Sequence, residues 1–445
     1  MAISLKRVAV EFILWLLLVI AAIGACLYIL PGGQLPDWAR ITIVWVVAIG
    51  LAAELVLIVL RHYWRYATNM DVPAMQIEQR ENAVVKQPDE LRTAESLETI
   101  HQAVLSLTTE EDYQLLLEKA KLGSRQTKIV ANRDRFSLLQ LPDYQYATIV
   151  DLTLLNDAKG INRRFCIVNQ KLPDNGRYVC CYRPQEYIKQ KILTTYPKGI
   201  NWVVYFFYFL RKRVIPRLLL TSRLYYDITK GRKRMLSKTE VLGRLYYCGF
   251  EVEDVVPMGH IEYVFCRRHM QPYPQEQFKR YGPLIKLPRV SKGGEIVYFY
   301  KFRTMHPYSE YIQKYVFDEG GGMDIADKSS NDWRITSWGR VFRRYWLDEL
   351  PMLINFFQGK IKLVGVRPLS RTMFNEYPQY LQDLRTQVKP GLIPPFYIDH
   401  PKTFDELFAS EEKYLRAYLE HPLKTDIQYF FRTVNSILFK KMRSA

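Results

Sequence analysis

Two apolar runs near the start of the chain constrain it most. "VAVEFILWLLLVIAAIGACLYIL", residues 8–30, carries a single charge at Glu11, and "ITIVWVVAIGLAAELVLIVL", residues 41–60, carries only Glu54. Each is long enough, at about 20 residues, to cross a hydrocarbon core of about 30 Å as a helix. The link between them, "PGGQLPDWAR", is short and rich in turn formers, which predicts an antiparallel hairpin. A signal peptide would end at a small-residue cleavage site instead of leading into a second span. Lys6 and Arg7 precede the first run, and Arg61 and Arg65 follow the second. Basic residues at both outer ends place both termini on the cytoplasmic side. Residues 1–65 are therefore expected to form a transmembrane hairpin.

The whole chain carries a formal charge of +18. Such a field attracts anionic partners: lipid headgroups, nucleotides, phosphates or nucleic acid. Nucleic acid is disfavoured, because the basic residues are spread along membrane-proximal segments and no nucleic-acid motif is present. The six cysteines show no C-x-x-C spacing, so reduced thiols are expected, with neither a disulfide framework nor a zinc site.

Residues 66–124 read as a helical linker, with apolar positions at helical spacing in "AESLETIHQAVLSL" and "EEDYQLLLEKAKLG". From 125 to 269 strand-length apolar runs alternate with helical stretches, the pattern of βαβ units on a parallel sheet. "KLPDNGRYVCCYRP" and "LGRLYYCGFEVEDV" resemble the second half of a Rossmann-like methyltransferase domain. The first strand region, "GSRQTKIVANRDRFSLLQ", lacks the Gly-rich turn that a cofactor needs for close approach. A degenerate scaffold without methyl transfer is expected. Within it, "NWVVYFFYFLRKRVIPRLLL" (201–220) sets aromatic residues beside Arg211, Lys212 and Arg213, a composition suited to the membrane interface with basic heads on lipid phosphates.

The last third, 270–445, carries the chemistry. Asp348 and Glu349 stand next to each other in "RRYWLDELPMLINFFQGKIKLVGVRPLSR". Alone, such acids would mark the start of a helix, where backbone N–H groups are unpaired. The surrounding motifs alter that reading: Lys301-Phe302-Arg303-Thr304-Met305, Asp332-x-Arg334-Ile335-Thr336 with Gly339, Arg343, Leu347 to Pro351, Asn355, Arg367-Pro368 and Lys389-Pro390-Gly391. In this order they resemble the bacterial sugar transferase family, the polyprenyl-phosphate phosphoglycosyl transferases.

The resemblance implies an α+β catalytic domain, and so an α/β membrane protein in three parts at the bacterial inner membrane. It implies transfer of a sugar 1-phosphate from a nucleotide-diphosphate sugar, with UDP the expected carrier, to polyprenyl (undecaprenyl) phosphate. Asp348 would be the nucleophile, with Glu349 beside it; both would hold Mg²⁺, and Arg343, Arg367, Lys301 and Arg303 would meet phosphates. A carboxylate approaches an anionic diphosphate only when charge is neutralised, and arginine forks and a hard cation supply that. The product would initiate surface glycan assembly. Inner-membrane lipids are the expected surroundings, and a homodimer is left open. A non-catalytic membrane scaffold and a membrane-tethered methyltransferase are the rival readings. The family's membrane-inserted helix precedes the Gly282-Pro283 strand, yet residues 270–281 are polar, so either the hairpin and 201–220 take over membrane docking or the active site is presented differently.

Overall fold

A computed structural model describes residues 67–70, 85–217, 221–273, 281–320, 332–399, 401 and 403–439, with Thr42, Trp45 and Gly50 as isolated helical positions. The two apolar runs otherwise lie outside the described residues. Among the described residues no helix is long and apolar enough to cross a membrane.

The expected α/β unit is present. Strands β2 (Thr127–Val130), β3 (Thr148–Leu154) and β4 (Arg177–Tyr182) are parallel, and β6 (Ile261–Arg268) inserts antiparallel between β4 and β5 (Phe250–Met258). Side chains alternate across a pleated strand, and β4 follows that rule. Tyr178, Cys180 and Tyr182 enter a core built with the helices Ile161–Lys171 and Lys238–Tyr247. Val179 and Cys181 enter a second core against the helices Ala94–Leu105 and Glu110–Lys119. The expected helical linker is thus one face of this layered sheet. Its helices begin at Thr93 and Thr109, whose hydroxyls accept from backbone N–H groups three residues on. The five described cysteines are free, and four of them are buried.

Ahead of those helices, β1 (Thr68–Asn69) joins a different sheet. It pairs in parallel with β7 (Leu284–Val290), which forms an antiparallel hairpin with β8 (Ile296–Phe302). The chain therefore reaches the C-terminal unit within a few residues of the end of the second apolar run. The C-terminal unit adds a short parallel pair, β9 (Lys362–Val364) and β10 (Gly391–Ile393), and two long helices, Phe404–Glu420 and Pro422–Phe439. Gly365 and Gly391 pass backbone to backbone there. A Cβ on Gly391 would lie 2.0 Å from the Gly365 nitrogen, and one on Gly365 would lie 2.8 Å from the Gly391 nitrogen.

The two units share a core. Tyr308, Tyr311 and Ile312, just past the Lys301–Met305 strand end, pack into the core of the first unit. Gly243 accepts the approach, since a Cβ there would lie 2.2 Å from the Tyr308 carbonyl oxygen. Arg213 adds a polar joint: it donates to the Met235 carbonyl at 2.7 Å, lies 3.0 Å from His306 Nδ1 and pairs with buried Glu240. This corrects the expectation for 201–220 at one residue. Arg213 is buried in an ion pair and is not a surface contact for lipid phosphates.

Candidate active site

Thr304, at the end of β8, organises one wall of the site. Its carbonyl accepts both the backbone N–H and the hydroxyl of Thr336, each at 2.9 Å. Thr336 caps the helix Ser337–Arg344 by accepting from the Gly339 N–H. Only glycine fits at position 339, because a Cβ would meet the Thr304 oxygen at 2.1 Å. Just upstream, buried Asp332 and Arg334 form a two-pronged pair that fixes the entry to this helix. At the helix C-terminus Arg343 turns back, and its Nε donates to Thr304 Oγ1 at 2.9 Å.

The second wall is the acidic turn. Leu347–Glu349 forms one 3₁₀ turn, and Pro351 caps the following helix, Met352–Phe357. The helix start anticipated for these acids is therefore displaced by a few residues, and the carboxylates stand on a tight turn ahead of it. Trp346, immediately before the turn, has φ +54°, the left-handed region. A non-glycine residue there costs of order 1–3 kcal/mol, borne when the surroundings over-determine it. Its indole Nε1 donates to the Tyr397 hydroxyl at 3.2 Å. Asn355 is fully buried and clamps the helix to β8, accepting from Tyr300 N at 3.0 Å and donating to the Tyr298 carbonyl at 2.9 Å.

That clamp brings Lys301 over the turn. Lys301 Nζ lies 2.6 Å from Glu349 Oε1, a charge-assisted contact. Asp348 is buried, and its Oδ1 has no hydrogen-bond partner. Burial raises the Asp348 pKa above the ordinary carboxylate range, and the neighbouring Glu349 charge adds to the rise. The Lys301 and Arg343 charges act in the opposite sense. Arg343 is itself drawn down by burial while the Asp348 charge holds it up.

Arg367 enters from the third side. Its backbone carbonyl accepts from Arg385, which is ion-paired with Glu411 of the helix Phe404–Glu420, both partners being buried. The Arg367 charge bears on Arg343 and on Tyr397, and Tyr397 also feels Asp348 and Glu349. Lys301, Arg343, Asp348, Glu349 and Arg367 are thus one electrostatic group.

Arg303 does not join them. It is buried, donates to the Gly282 carbonyl at 2.9 Å and lies over the Tyr281 ring. Just past the end of β8 its backbone N–H also bonds the Pro283 carbonyl at 2.7 Å, and these contacts tie Arg303 to the start of β7. His306, two residues past Thr304, likewise faces the joint with Arg213. Thr304 stands in a motif picked out from the sequence without a role, and Trp346 and Tyr397 are the residues that sequence reasoning missed. Nothing in the sequence marks the conformation of Trp346 or its hydrogen bond to Tyr397.

A divalent cation was tested against these residues. Mg²⁺ takes oxygen ligands and commonly uses one or two carboxylates, with phosphates and water completing the shell. The unpartnered, buried Asp348 Oδ1 beside Glu349 fits that donor set. Among the described residues no group of three or more acidic, His or Cys side chains forms a closed metal cage. The fit is to an open site that a phosphate ligand completes.

Around this group the surface is apolar. Leu350, Leu353, Ile354 and Phe357 are exposed on and after the acidic turn, and Phe357 is 81% exposed. The C-terminal helix, which buries Tyr429, also turns apolar residues outward. Thr425, Thr433 and Ser436 face inward, while Leu423, Ile427 and Phe431 face outward.

Residues 276–440 match the family described as "Bacterial sugar transferase". The chain is 32% identical over 163 residues to "Galactosyl transferase CpsE" of Streptococcus agalactiae serotype III (strain NEM316), covering 35% of each chain. It is 30% identical over 170 residues to the "UDP-N-acetylgalactosamine-undecaprenyl-phosphate N-acetylgalactosaminephosphotransferase" of Aeromonas hydrophila, covering 35% of this chain and 36% of that one. With the "UDP-glucose:undecaprenyl-phosphate glucose-1-phosphate transferase" of Caulobacter vibrioides (strain ATCC 19089 / CIP 103742 / CB 15) it shares 29% identity over 169 residues, or 35% of this chain and 57% of the relative. The matched region thus spans about a third of the length of the first two relatives. Among solved structures, an S-adenosylmethionine dependent methyltransferase from Mesorhizobium loti aligns with 29% of this chain and 64% of its own, at 16% identity and a TM-score of 0.18.

Proposed function

We propose that this chain, whose residues 276–440 match the bacterial sugar transferase family, transfers a sugar 1-phosphate from a UDP-sugar to undecaprenyl phosphate, in two displacements at Asp348. The observation that carries the reading is the buried Asp348 carboxylate, one oxygen unpartnered, set among Lys301, Arg343 and Arg367.

In the first displacement an Asp348 oxygen attacks the β-phosphorus of the donor. The bond from that phosphorus to the bridging oxygen breaks, and UMP leaves with the electron pair. In the second, an oxygen of undecaprenyl phosphate attacks the same phosphorus and the Asp348 carboxylate departs, giving undecaprenyl-diphospho-sugar. Burial strips water from Asp348 and makes its anion a better nucleophile than a hydrated carboxylate. Arg343, held by Thr304, and Arg367, held through its backbone by Arg385, are aimed before substrate arrives, so their charge costs little reorganisation in the transition state. Lys301 restrains Glu349. Asp348 and Glu349 are the residues that would hold Mg²⁺, which when bound neutralises diphosphate charge.

The exposed apolar side chains beside the turn and along Pro422–Phe439 suit a lipid-facing surface, where a polyprenyl acceptor approaches from the membrane. Taken with the expected hairpin, this supports a reaction at the cytoplasmic face of the inner membrane. The test is UMP release by purified full-length chain with Mg²⁺, undecaprenyl phosphate and a panel of UDP-sugars, run in parallel with Asp348→Asn. Release that needs the lipid and disappears in the variant supports the reading. Release that survives Asp348→Asn overturns it.

A further inference from the structure

A second apolar surface lies in the other unit, far along the chain from Asp348. The helices Gln185–Thr195 and Ile200–Phe209 form a hairpin joined by Tyr196–Gly199. Asn201 builds the turn, accepting from Gly199 N at 3.1 Å and donating to the Leu193 carbonyl at 2.9 Å. The first helix has no buried residue and the second has only Asn201. A helix as apolar as "INWVVYFFYF" ordinarily lies in a protein core or in lipid. Here Ile200, Trp202, Val203, Phe206 and Phe207 are each more than half exposed.

The charges around these rings decide what covers them. Lys189 stands over both the Trp202 and the Tyr205 rings. Lys191, Lys198 and Arg211 are exposed at the hairpin tip and just past its second helix. Side chains that mix aromatic rings with surface lysine and arginine match the headgroup layer of a membrane, where rings sit at the boundary and cations meet lipid phosphate. A protein partner would be served by the rings but would leave this cationic rim to find matching acids. We infer that the hairpin 185–209 is a docking element that inserts its exposed rings into an anionic lipid surface, independently of the catalytic unit.

The hairpin is not loosely hung. Its second helix runs directly into the π-helical turn Leu210–Val214, whose Arg213 is buried against Glu240 and His306. His306 lies on the strand end that carries Thr304, and its backbone N–H bonds the Arg334 carbonyl at 2.8 Å. Docking of the hairpin therefore fixes the first unit against the membrane through the same joint that holds the catalytic wall.

The test uses the full chain in lipid vesicles, with an environment-sensitive fluorophore on Phe206→Cys and, separately, on Trp202→Cys. Labelled parent protein serves as the blank for the native thiols. Emission typical of the headgroup region, quenched by nitroxide-bearing lipids in phosphatidylglycerol-containing vesicles, supports docking. Lys198→Glu with Arg211→Glu should lower the docked fraction by ~5-fold per charge removed, the value of one basic residue near an anionic surface. Emission of a fully hydrated probe overturns the inference. A shielded probe that lipid nitroxides do not quench overturns it too, because the cover is then protein, a second copy included. Equal quenching in neutral and anionic vesicles overturns the requirement for anionic lipid. Unfolding profiles matching the parent confirm that each variant is folded, and the readout is independent of UMP release.

Discussion

Lys301 Nζ lies 2.6 Å from Glu349 Oε1, while the adjacent Asp348, buried beside this ion pair, keeps Oδ1 without a hydrogen-bond partner. Two neighbouring acids are thereby made different by their surroundings. One is neutralised and held; the other is left desolvated and available. The site's chemistry follows from that asymmetry.

The first consequence is that Asp348, the proposed nucleophile, destabilises the protein. Asp348 has a raised pKa, so its contribution to stability is fully present below the ordinary carboxylate pKa of about 3.9 and is lost as pH rises through the folded value. Asp348→Asn should therefore raise the unfolding temperature at neutral pH, with the gain fading in acid, while UMP release falls by at least ~10³-fold. Thermal unfolding across pH, beside the activity assay, checks both halves. A variant less stable than the parent at pH 7 would contradict the desolvation account.

The second concerns the acid limb of the pH–rate profile. In the proposed mechanism Asp348 attacks as an anion, so activity should rise as pH climbs through its pKa. Lys301→Met removes a charge that holds this pKa down, and the limb should move to higher pH. Glu349→Gln removes a charge that pushes it up, and the limb of the residual activity should move to lower pH. Opposite displacements in kcat/KM profiles are the signature; shifts in one direction only would point to a loss of fold.

Arg213→Met tests the joint between the units. It removes one partner of a buried pair whose acid, Glu240, also meets Arg244. Breaking a buried pair from one side costs ~3–5 kcal/mol. Denaturant unfolding should show a loss of that order, and limited proteolysis should open cleavage between the units.

Gly391→Ala should be among the most damaging small substitutions, since its Cβ would strike the Gly365 backbone at 2.0 Å. A loss of about 3 kcal/mol or more is expected, in the range reserved for overpacking and backbone conflict. Gly123→Ala, with no heavy atom within 4 Å of the added carbon, should stay within about 0.5 kcal/mol of the parent. Chemical denaturation of the two variants side by side makes the comparison.

Much of this site was legible in the sequence because its motifs are short and its charges cluster. Asp348, Glu349, Lys301, Arg343 and Arg367, read from separate stretches, converge in the fold. Arg303, two residues on from Lys301 and past the end of β8, is buried against the Gly282 carbonyl and the Tyr281 ring, a placement that motif spacing alone does not announce. Trp346 and Tyr397 were invisible since their role is a backbone conformation and the hydrogen bond that holds it. In the first unit the apolar run in "RYVCCY" is of strand length, and the fold buries that strand on both faces. The segment 201–220 was read as one surface piece, yet Arg213 within it is a core residue, because a helix that leaves the surface by one turn carries no mark of doing so in its composition.

Gly365 and Gly391 meet through their backbones, and each would collide with the main chain of the other. A conflict between two side chains can be relieved by shrinking one of them, so substitutions at such a pair can trade places over evolutionary time. Here neither partner has anything to give up. Altering one leaves the other no compensating reply, and changing both makes two collisions. The joint between β9 and β10 is therefore closed to stepwise divergence. Relatives that keep this parallel pair are expected to keep both glycines, while the residues around them drift.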